Sequence, residues 1–551
     1  MMSALEQNVL SVTGGNMKKK MITVLAAVLF AGCGGKKEQG TSAAQSSVES
    51  GLLRGAVLCD ITTMDVAETT DDYLIPMNIF ERLFETRPDG EESKIENSLC
   101  KSYTVSEDGK TYDFEILGDV VFSNGNPLTA SDVKYSFERL LTKGRQNTDI
   151  PLEVVGGEDL MNGKAESLAG FEVKDDTHFS VTLTAPNAGF IAELSSPCMS
   201  IVDEESTKNA GGFGKNPAEM IGSGPYTVKE WVSNDHYTLE YNPRYHGAEP
   251  SVKKVIMKVI PDAGTMNLMF QNGEIDLIDL GSLDSAVVES AYRTAWKDHI
   301  VSRPKVGLYF LAFNENNSYF KDVKVRQAIA RAINVDDMIT GIYNGDAKRE
   351  NGIIPSGVLG YNKDLEPFAY DPSAAKKMLE EAGYKDGEIQ FEFSMDSTMS
   401  SSQQLIYQSI ARDLAAVGIK ADIQTYDHTT WIDRRLGGKT DCYVGKWIMD
   451  YNDPANIMIT FFGGESKANS RALNYPNIEI MDRVAKAPAI LDEGQRIAEY
   501  QALEKQIVKE DAAWVPLVSE LHLYCFGNRV KSFTPQWAGF GDFYVTDVVL
   551  G

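Results

Sequence analysis

Catalysis and metal binding both need side chains that converge, so the informative question is which residues of this chain are spaced to do so. The six histidines, His178, His236, His246, His299, His428 and His522, are scattered, with no His-x-x-x-His pair on one helix face. Gly163-Lys164 ends like a phosphate loop, but Glu158 stands where the first glycine belongs, and Ala165 follows in place of Ser or Thr. Gly222-Ser223-Gly224 lacks the flanking spacing of a nucleophile elbow. Ser106 to Gly109 forms a turn rather than a calcium loop. These gaps favour binding over catalysis, with no cofactor and no metal.

The bulk numbers narrow the class further. At 551 residues the chain exceeds one ordinary core, and two to four domains are expected. With 79 acidic against 53 basic residues the net charge is −26, which argues against nucleic acid and against adsorption to anionic lipid by charge. Such a surface keeps an exported protein soluble. None of the six cysteines, Cys33, Cys59, Cys100, Cys198, Cys442 and Cys525, forms a Cys-x-x-Cys pair. A disulfide framework is therefore not the organising principle, and one bridge at most is expected.

The amino-terminal segment carries an address. Basic Met17-Lys18-Lys19-Lys20 precedes the apolar run Met21 to Ala31. As a helix that run spans about 16 Å, far short of a ~30 Å hydrocarbon core, so it is a signal-peptide core and not a membrane span. Phe30-Ala31-Gly32-Cys33 resembles the bacterial lipobox, with Phe30 where Leu is usual; the resemblance implies a lipid on Cys33. Residues 1–33 are thus read as signal peptide with lipobox, with the true start at Met17. Residues 34–53, poor in large apolar side chains, are read as a disordered tether. More than one acyl chain gives stable anchoring.

Beyond residue 52, short strands and helices alternate. Thr111 to Ile116 and His178 to Leu183 have strand character, the first with period two, and Val255 to Val259 and Tyr309 to Phe313 are read as strands. Asp132 to Leu141 reads as a helix capped by Ser131 or Thr129. Val323 to Ile333 is a helix with Val325, Ile329 and Ala332 or Ile333 on one face. Asp371-Pro372 opens another, closing at Gly383, with Ala375, Met378, Leu379 and Ala382 as its stripe. Ile389–Phe393, Gln403–Val417 and Ile419–Thr425 make a strand–helix–strand unit, the mark of α/β layers.

Several segments together resemble the peptide and nickel class of bacterial extracellular solute-binding proteins. They are Ser106 to Leu140 (SEDGKTYDFEILGDVVFSNGNPLTASDVKYSFERL), Ile221 to Trp231 (IGSGPYTVKEW), Asn242 to Tyr245 (NPRY), Asn272 to Asp276 (NGEID), Asp322 to Ile333 (DVKVRQAIARAI) and Asp371 to Tyr384 (DPSAAKKMLEEAGY). Their order and spacing hold from about residue 54 to the end. The resemblance implies an α/β, two-lobed, hinged periplasmic-binding-protein-like fold, large and of the class II type, with an extra inserted subdomain. Its expected division is lobe I at 54–80, 208–305 and 521–551, the insert at 81–207, and lobe II at 306–520. It also implies partners: short peptides, an ABC permease and its ATPase subunits, with the chain a monomer on the outer face of a membrane. Alternatives are the same fold binding a nickel chelate, haem or an oligosaccharide, and, further off, a peptide sensor or surface hydrolase.

Asp441 to Pro454 (DCYVGKWIMDYNDP) is similar to the W-x-x-D-Y-x-x-P loop of oligopeptide binders. The resemblance implies that Asp450 pairs with a peptide's α-ammonium, which physics supports, since an ammonium taken from water needs a charged partner. Asp450 could instead cap a turn before Pro454, and Asp453 is the second candidate carboxylate. Trp447 would lie along the bound backbone or in the core. Gly445 to Trp447 could offer main-chain groups to an extended peptide. The expected ligand-binding set is Asp450, Trp447, Tyr451, Gly445 and Lys446, with Thr70 and Asp71 from the first lobe. For the peptide carboxylate, Lys446, Arg435 and Arg471 are the candidates.

Overall fold

The computed structural model describes residues 49–551, apart from 71–72, 91, 145 and 538–542. Cys33 and Asp71 lie outside the described residues. In the first lobe the strands Leu52–Val57, Lys254–Val259, His236–Tyr241 and Tyr226–Val232 lie side by side in that order, the first pair parallel and the others antiparallel. Val255, Met257 and Val259 turn inward, as their alternation requires. A second sheet sets Val518–Phe526 between Leu277–Asp279 and Ile300–Pro304.

The other lobe is built on a five-stranded sheet in the order Lys420–Tyr426, Gln390–Asp396, Cys442–Ile448, Gly307–Phe313, Trp514–Pro516. Gly307–Phe313 is buried at every position, as suits a continuous apolar run at the centre of a sheet covered on both faces. One face carries Tyr309, Leu311, Phe313, Cys442 and Val444 against the helices Val323–Ala332, Pro372–Glu381 and Ser401–Ala416. The opposite face carries Leu308, Phe310 and Tyr443 into a core shared with first-lobe residues such as Leu74 and Phe80. Helix Pro372–Glu381 begins as its sequence specifies: Asp371 accepts from Ala374 N at 2.8 Å, proline occupies the first turn, and Ala375 and Leu379 are buried. The parallel strands Gln390–Asp396 and Lys420–Tyr426 flank their helix as expected of the strand–helix–strand unit.

Two chain segments cross between these bodies. Ile300–Pro304 runs on through Lys305-Val306 into Gly307–Phe313. The nine-residue strand Val518–Phe526 begins in the core of the second lobe with Val518 and ends in that of the first with Leu523 and Cys525. A further sheet, Cys100–Val105, Thr111–Ile116, His178–Thr182 and Phe171–Val173, forms its own aromatic core around Phe114, Phe137 and Phe179 with helix Ala130–Thr142. Of the two expected caps for that helix the structure uses Thr129, whose N–H donates to Asp132 Oδ2 at 2.8 Å in a capping box. The five described cysteines are all free thiols, four of them buried. Among the described residues no helix is long and apolar enough to cross a membrane.

One buried acid in this frame has a measurable consequence. Glu504 is fully buried, and one carboxyl oxygen accepts from Ile354 N at 2.8 Å. Its other oxygen has no partner among the described residues. Burial pushes its pKa from 4.5 up to about 8. The folded protein therefore keeps a proton that the unfolded chain releases near 4.5. The contribution to stability is full below about pH 4.5 and is lost as pH rises through about 8. Glu504→Gln should remove that slope. Urea unfolding at pH 8.5 against pH 5 should show the variant gaining on the order of 3 kcal/mol relative to the unmodified protein. Parallel pH profiles for the two proteins would contradict it.

Candidate functional site

Strand Cys442–Ile448 pairs with Gly307–Phe313 along its whole length, but with Gln390–Asp396 only at Cys442 opposite Phe393. Past that point its outer edge is open. The Tyr407 hydroxyl enters the gap, accepting from Val444 N at 2.9 Å and donating to Ser394 O at 2.9 Å. Main-chain groups alternate between the two edges of a strand, so those of Lys446 face the same open edge as those of Val444. Gly445 is pressed against the Phe310 ring, where an added Cβ would lie 2.4 Å from a ring carbon. Phe310 is in turn stacked on Trp514 with centroids 3.8 Å apart.

After Ile448 the chain turns through Met449–Pro454 into the helix Ala455–Phe462. Loop Asn452 accepts from Leu359 N at 2.7 Å, and Met449 N donates to Val306 O at 2.9 Å, so the turn is pinned from two sides. Asn456 organises what it presents. Its side-chain oxygen accepts from Trp447 Nε1 at 2.8 Å, and its Nδ2 donates to Asp450 Oδ2 at 2.9 Å. Trp447 and Asp450 are thereby fixed side by side.

Asp450 has no ion-pair partner among the described residues. Burial raises its pKa from 3.8 to about 6; the Asn456 bond opposes the rise and the nearby Asp149 carboxylate adds to it. Asp453, three residues on, is settled differently. It is fully buried, forms an ion pair with the buried Arg496, and its other oxygen accepts from Ala455 N at 2.9 Å. Asp453 is a structural anchor, and Asp450 is a carboxylate whose charge is left uncompensated. Such a group is suited to receive a cation.

The other expected residues distribute as follows. The Lys446 side chain lies on the strand face opposite Trp447 and pairs with Glu520 at 3.0 Å. Tyr451 turns its hydroxyl toward the Glu193 carboxyl of the 81–207 segment. Thr69 is buried and Thr70 exposed; the Thr69 carbonyl accepts from Asn147 Nδ2 at 2.7 Å, two residues before Asp149. Arg471 lies over Trp447, its Cζ 5.4 Å from the ring centre, and Arg435 lies over Trp431 at 5.3 Å. His428 pairs with Asp396 at 2.6 Å, and His522 is buried beside Tyr524. Among the described residues no group of three or more His, Cys, Asp and Glu side chains could hold a metal ion. A mostly apolar cavity of about 160 Å³, lined by residues such as Met257, Met266 and Tyr524, includes none of the candidate site residues.

Asn456, Asp149 and Tyr407 are the residues that reading the sequence missed. Asn456 had a usable signal, being a lone amide in the apolar helix ANIMITFF, where a buried polar group must have partners. Asp149 had none, since it comes from a segment three hundred residues away.

Two crossing strands, two α/β lobes and a charged, aromatic loop beside the crossings define a two-lobed solute-binding architecture. Residues 94–469 match the family described as bacterial extracellular solute-binding proteins, family 5, middle region, and the chain belongs to that family. It is 28% identical over 505 residues to a probable D,D-dipeptide-binding periplasmic protein of Escherichia coli, covering 89% of this chain and 92% of the relative. It is 25% identical to heme-binding protein A of Haemophilus influenzae, covering 97% and 100%. Among solved structures, an ABC transporter-associated periplasmic binding protein from Helicobacter pylori in complex with the peptide STSA superposes with a TM-score of 0.72. The two are 26% identical, with 91% of this chain and 98% of that one covered.

Proposed function

We propose that this protein captures short peptides between its lobes and delivers them to a membrane permease driven by ATPase subunits. The observation that carries the reading is Asp450: a half-buried carboxylate with no cation beside it among the described residues, fixed by Asn456 beside Trp447. A peptide's α-ammonium supplies the missing charge. The open edge at Lys446 then offers one N–H and one C=O to the peptide backbone, a mode that reads main chain and leaves side chains free to vary. In this reading Gly445 allows the close strand packing, while Tyr451 and Thr70 line the approach. Relatives named for dipeptides support the ligand class.

The division into lobe I (54–80, 208–305, 521–551), insert (81–207) and lobe II (306–520) is supported by crossings at Lys305-Val306 and along Val518–Phe526. Closure about those crossings would follow from a ligand's better fit to the closed form. The chain acts as a monomer without catalysis, outside the cell membrane, held by a lipid on Cys33. Fatty-acid labelling that persists in Cys33→Ala would refute the anchor.

Calorimetry with a mixed pool of di- to hexapeptides should give saturable binding. A silent titration would overturn the peptide reading. Binding of haem, a nickel chelate or an oligosaccharide in its place would redirect the function within the same fold.

A further inference from the structure

The strands Phe84–Asp89 and Glu92–Asn97 lie in the 81–207 segment but do not join its four-stranded sheet. They pair antiparallel from Phe84 opposite Asn97 to Asp89 opposite Glu92, with no third strand among the described residues. Phe84, at the root, enters the aromatic core of the segment and is the only buried residue of the two strands. A lone two-stranded ribbon is at best marginally stable in water, so its form depends on what it touches. Near the root Arg87 pairs with Asp547 at 3.1 Å and lies over the Tyr544 ring at 4.1 Å.

The tip of the ribbon reaches the crossing between the lobes. Arg303 stands in Ile300–Pro304, the strand that runs on through Lys305-Val306 into the second lobe. Its guanidinium donates to Gly90 O at 3.0 Å and to Glu92 O at 2.6 Å. Among the described residues Arg303 has no carboxylate partner, and burial lowers its pKa. The two tip carbonyls take the place of a carboxylate, and the guanidinium fixes the tip beside the crossing. From there the tip touches the second lobe at three points. Ser93 Oγ donates to Gly357 O at 3.5 Å, Ser93 O accepts from Asn452 Nδ2 at 3.5 Å, and Glu92 pairs with Lys363 at 3.2 Å. The first two are long and the third is exposed, so each is weak. Asn452 lies two residues beyond Asp450, and its side-chain oxygen accepts from Leu359 N at 2.7 Å. One amide side chain thus joins the Asp450 turn, the loop at Leu359 and the ribbon tip.

Arg303 lies on the first-lobe side of the crossing, and Gly357, Lys363 and Asn452 lie on the other. Rotation about the crossings leaves the Arg303 contact intact and parts the other three. Weak contacts suit a reversible catch, since strong ones would hold the lobes shut without ligand. We propose that this ribbon is a strap that fastens the closed form: Arg303 holds its tip at the hinge, and Glu92 and Ser93 catch the second lobe when the lobes close on a ligand. This rests on the peptide-capture reading above and gives the 81–207 segment a part in closure that involves no contact with the ligand.

The test is hydrogen exchange of the full chain, read by mass spectrometry with and without a saturating pool of di- to hexapeptides. Backbone amides of the ribbon should exchange at least tenfold more slowly with peptide bound. Those of Thr111–Ile116, in the neighbouring sheet, should change less than about twofold. Arg303→Met should abolish the slowing in the ribbon and speed peptide dissociation at least fivefold, with the association rate within about twofold. The exchange comparison needs no variant, so it stands even if Arg303→Met folds poorly. Ribbon exchange that ignores a peptide pool shown by calorimetry to bind would make the ribbon a fixed brace. That result would overturn the strap and leave the peptide reading intact. Slowing of equal size in Thr111–Ile116 would overturn it too, as a stabilisation of the whole fold. Unchanged dissociation from a folded Arg303→Met would overturn the part given to Arg303. Calorimetric silence from the pool would overturn the peptide reading, and this inference with it.

Discussion

Asp450→Ala is expected to weaken peptide binding at least a hundredfold while leaving the melting temperature within about 2 °C of the unmodified protein. A hundredfold is about 3 kcal/mol, within the range for removing one partner of a desolvated charge pair. Folding should be nearly indifferent because, among the described residues, Asp450 has no ion pair to lose, only the 2.9 Å bond from Asn456. Burial raises its pKa to about 6, so it must lose a proton to receive an ammonium. Affinity should therefore be flat above about pH 7 and fall roughly tenfold per unit well below pH 6, with proton release on binding near pH 6. The variant should show neither effect. Unchanged affinity, or a pH profile shared by both proteins, would refute the role given to Asp450.

Asp453→Ala should do the reverse. Removing this carboxylate strands the Arg496 guanidinium, whose side chain is only 3% exposed, and deletes the acceptor that caps Ala455 at 2.9 Å. Breaking a buried pair in this way costs about 3 to 5 kcal/mol. Denaturant unfolding should show that loss. Whatever protein remains folded should bind peptide with affinity within about threefold of the original, because the Asp453 carboxylate is already engaged by Arg496 and Ala455 N. A loss below about 1 kcal/mol would mean that the pair is not the anchor described. Taken together, the two substitutions separate ligand chemistry from folding within one loop.

Much of the frame could be read before any coordinates. Helix Pro372–Glu381 declares its cap, its proline and its buried stripe within ten residues, and Gln390–Asp396 through Lys420–Tyr426 declares a crossover unit. These depend on local periodicity and capping, which act over one or two turns. The site divides differently. Asp450 and Trp447 could be found through family resemblance, but nothing local distinguishes Asp450 from Asp453. That distinction lies with Arg496, on another helix. Likewise Lys446, Arg435 and Arg471 look equivalent along the chain. Only strand pairing places Lys446 on the far face against Glu520, while Arg471 lies over Trp447 and Arg435 over Trp431. Partners distant in sequence decided the chemistry, and such partners leave no pattern within any one segment.

The most direct test of the central claim is a chemical double-mutant cycle on the ammonium contact. Calorimetry would compare a free-amine peptide with its N-acetylated form, on the unmodified protein and on Asp450→Ala. The account predicts that acetylation costs at least a hundredfold on the unmodified protein and less than threefold on the variant, because both changes remove the same ion pair. Equal binding of acetylated and free peptides to the unmodified protein, or an acetylation penalty that persists undiminished in Asp450→Ala, would contradict it.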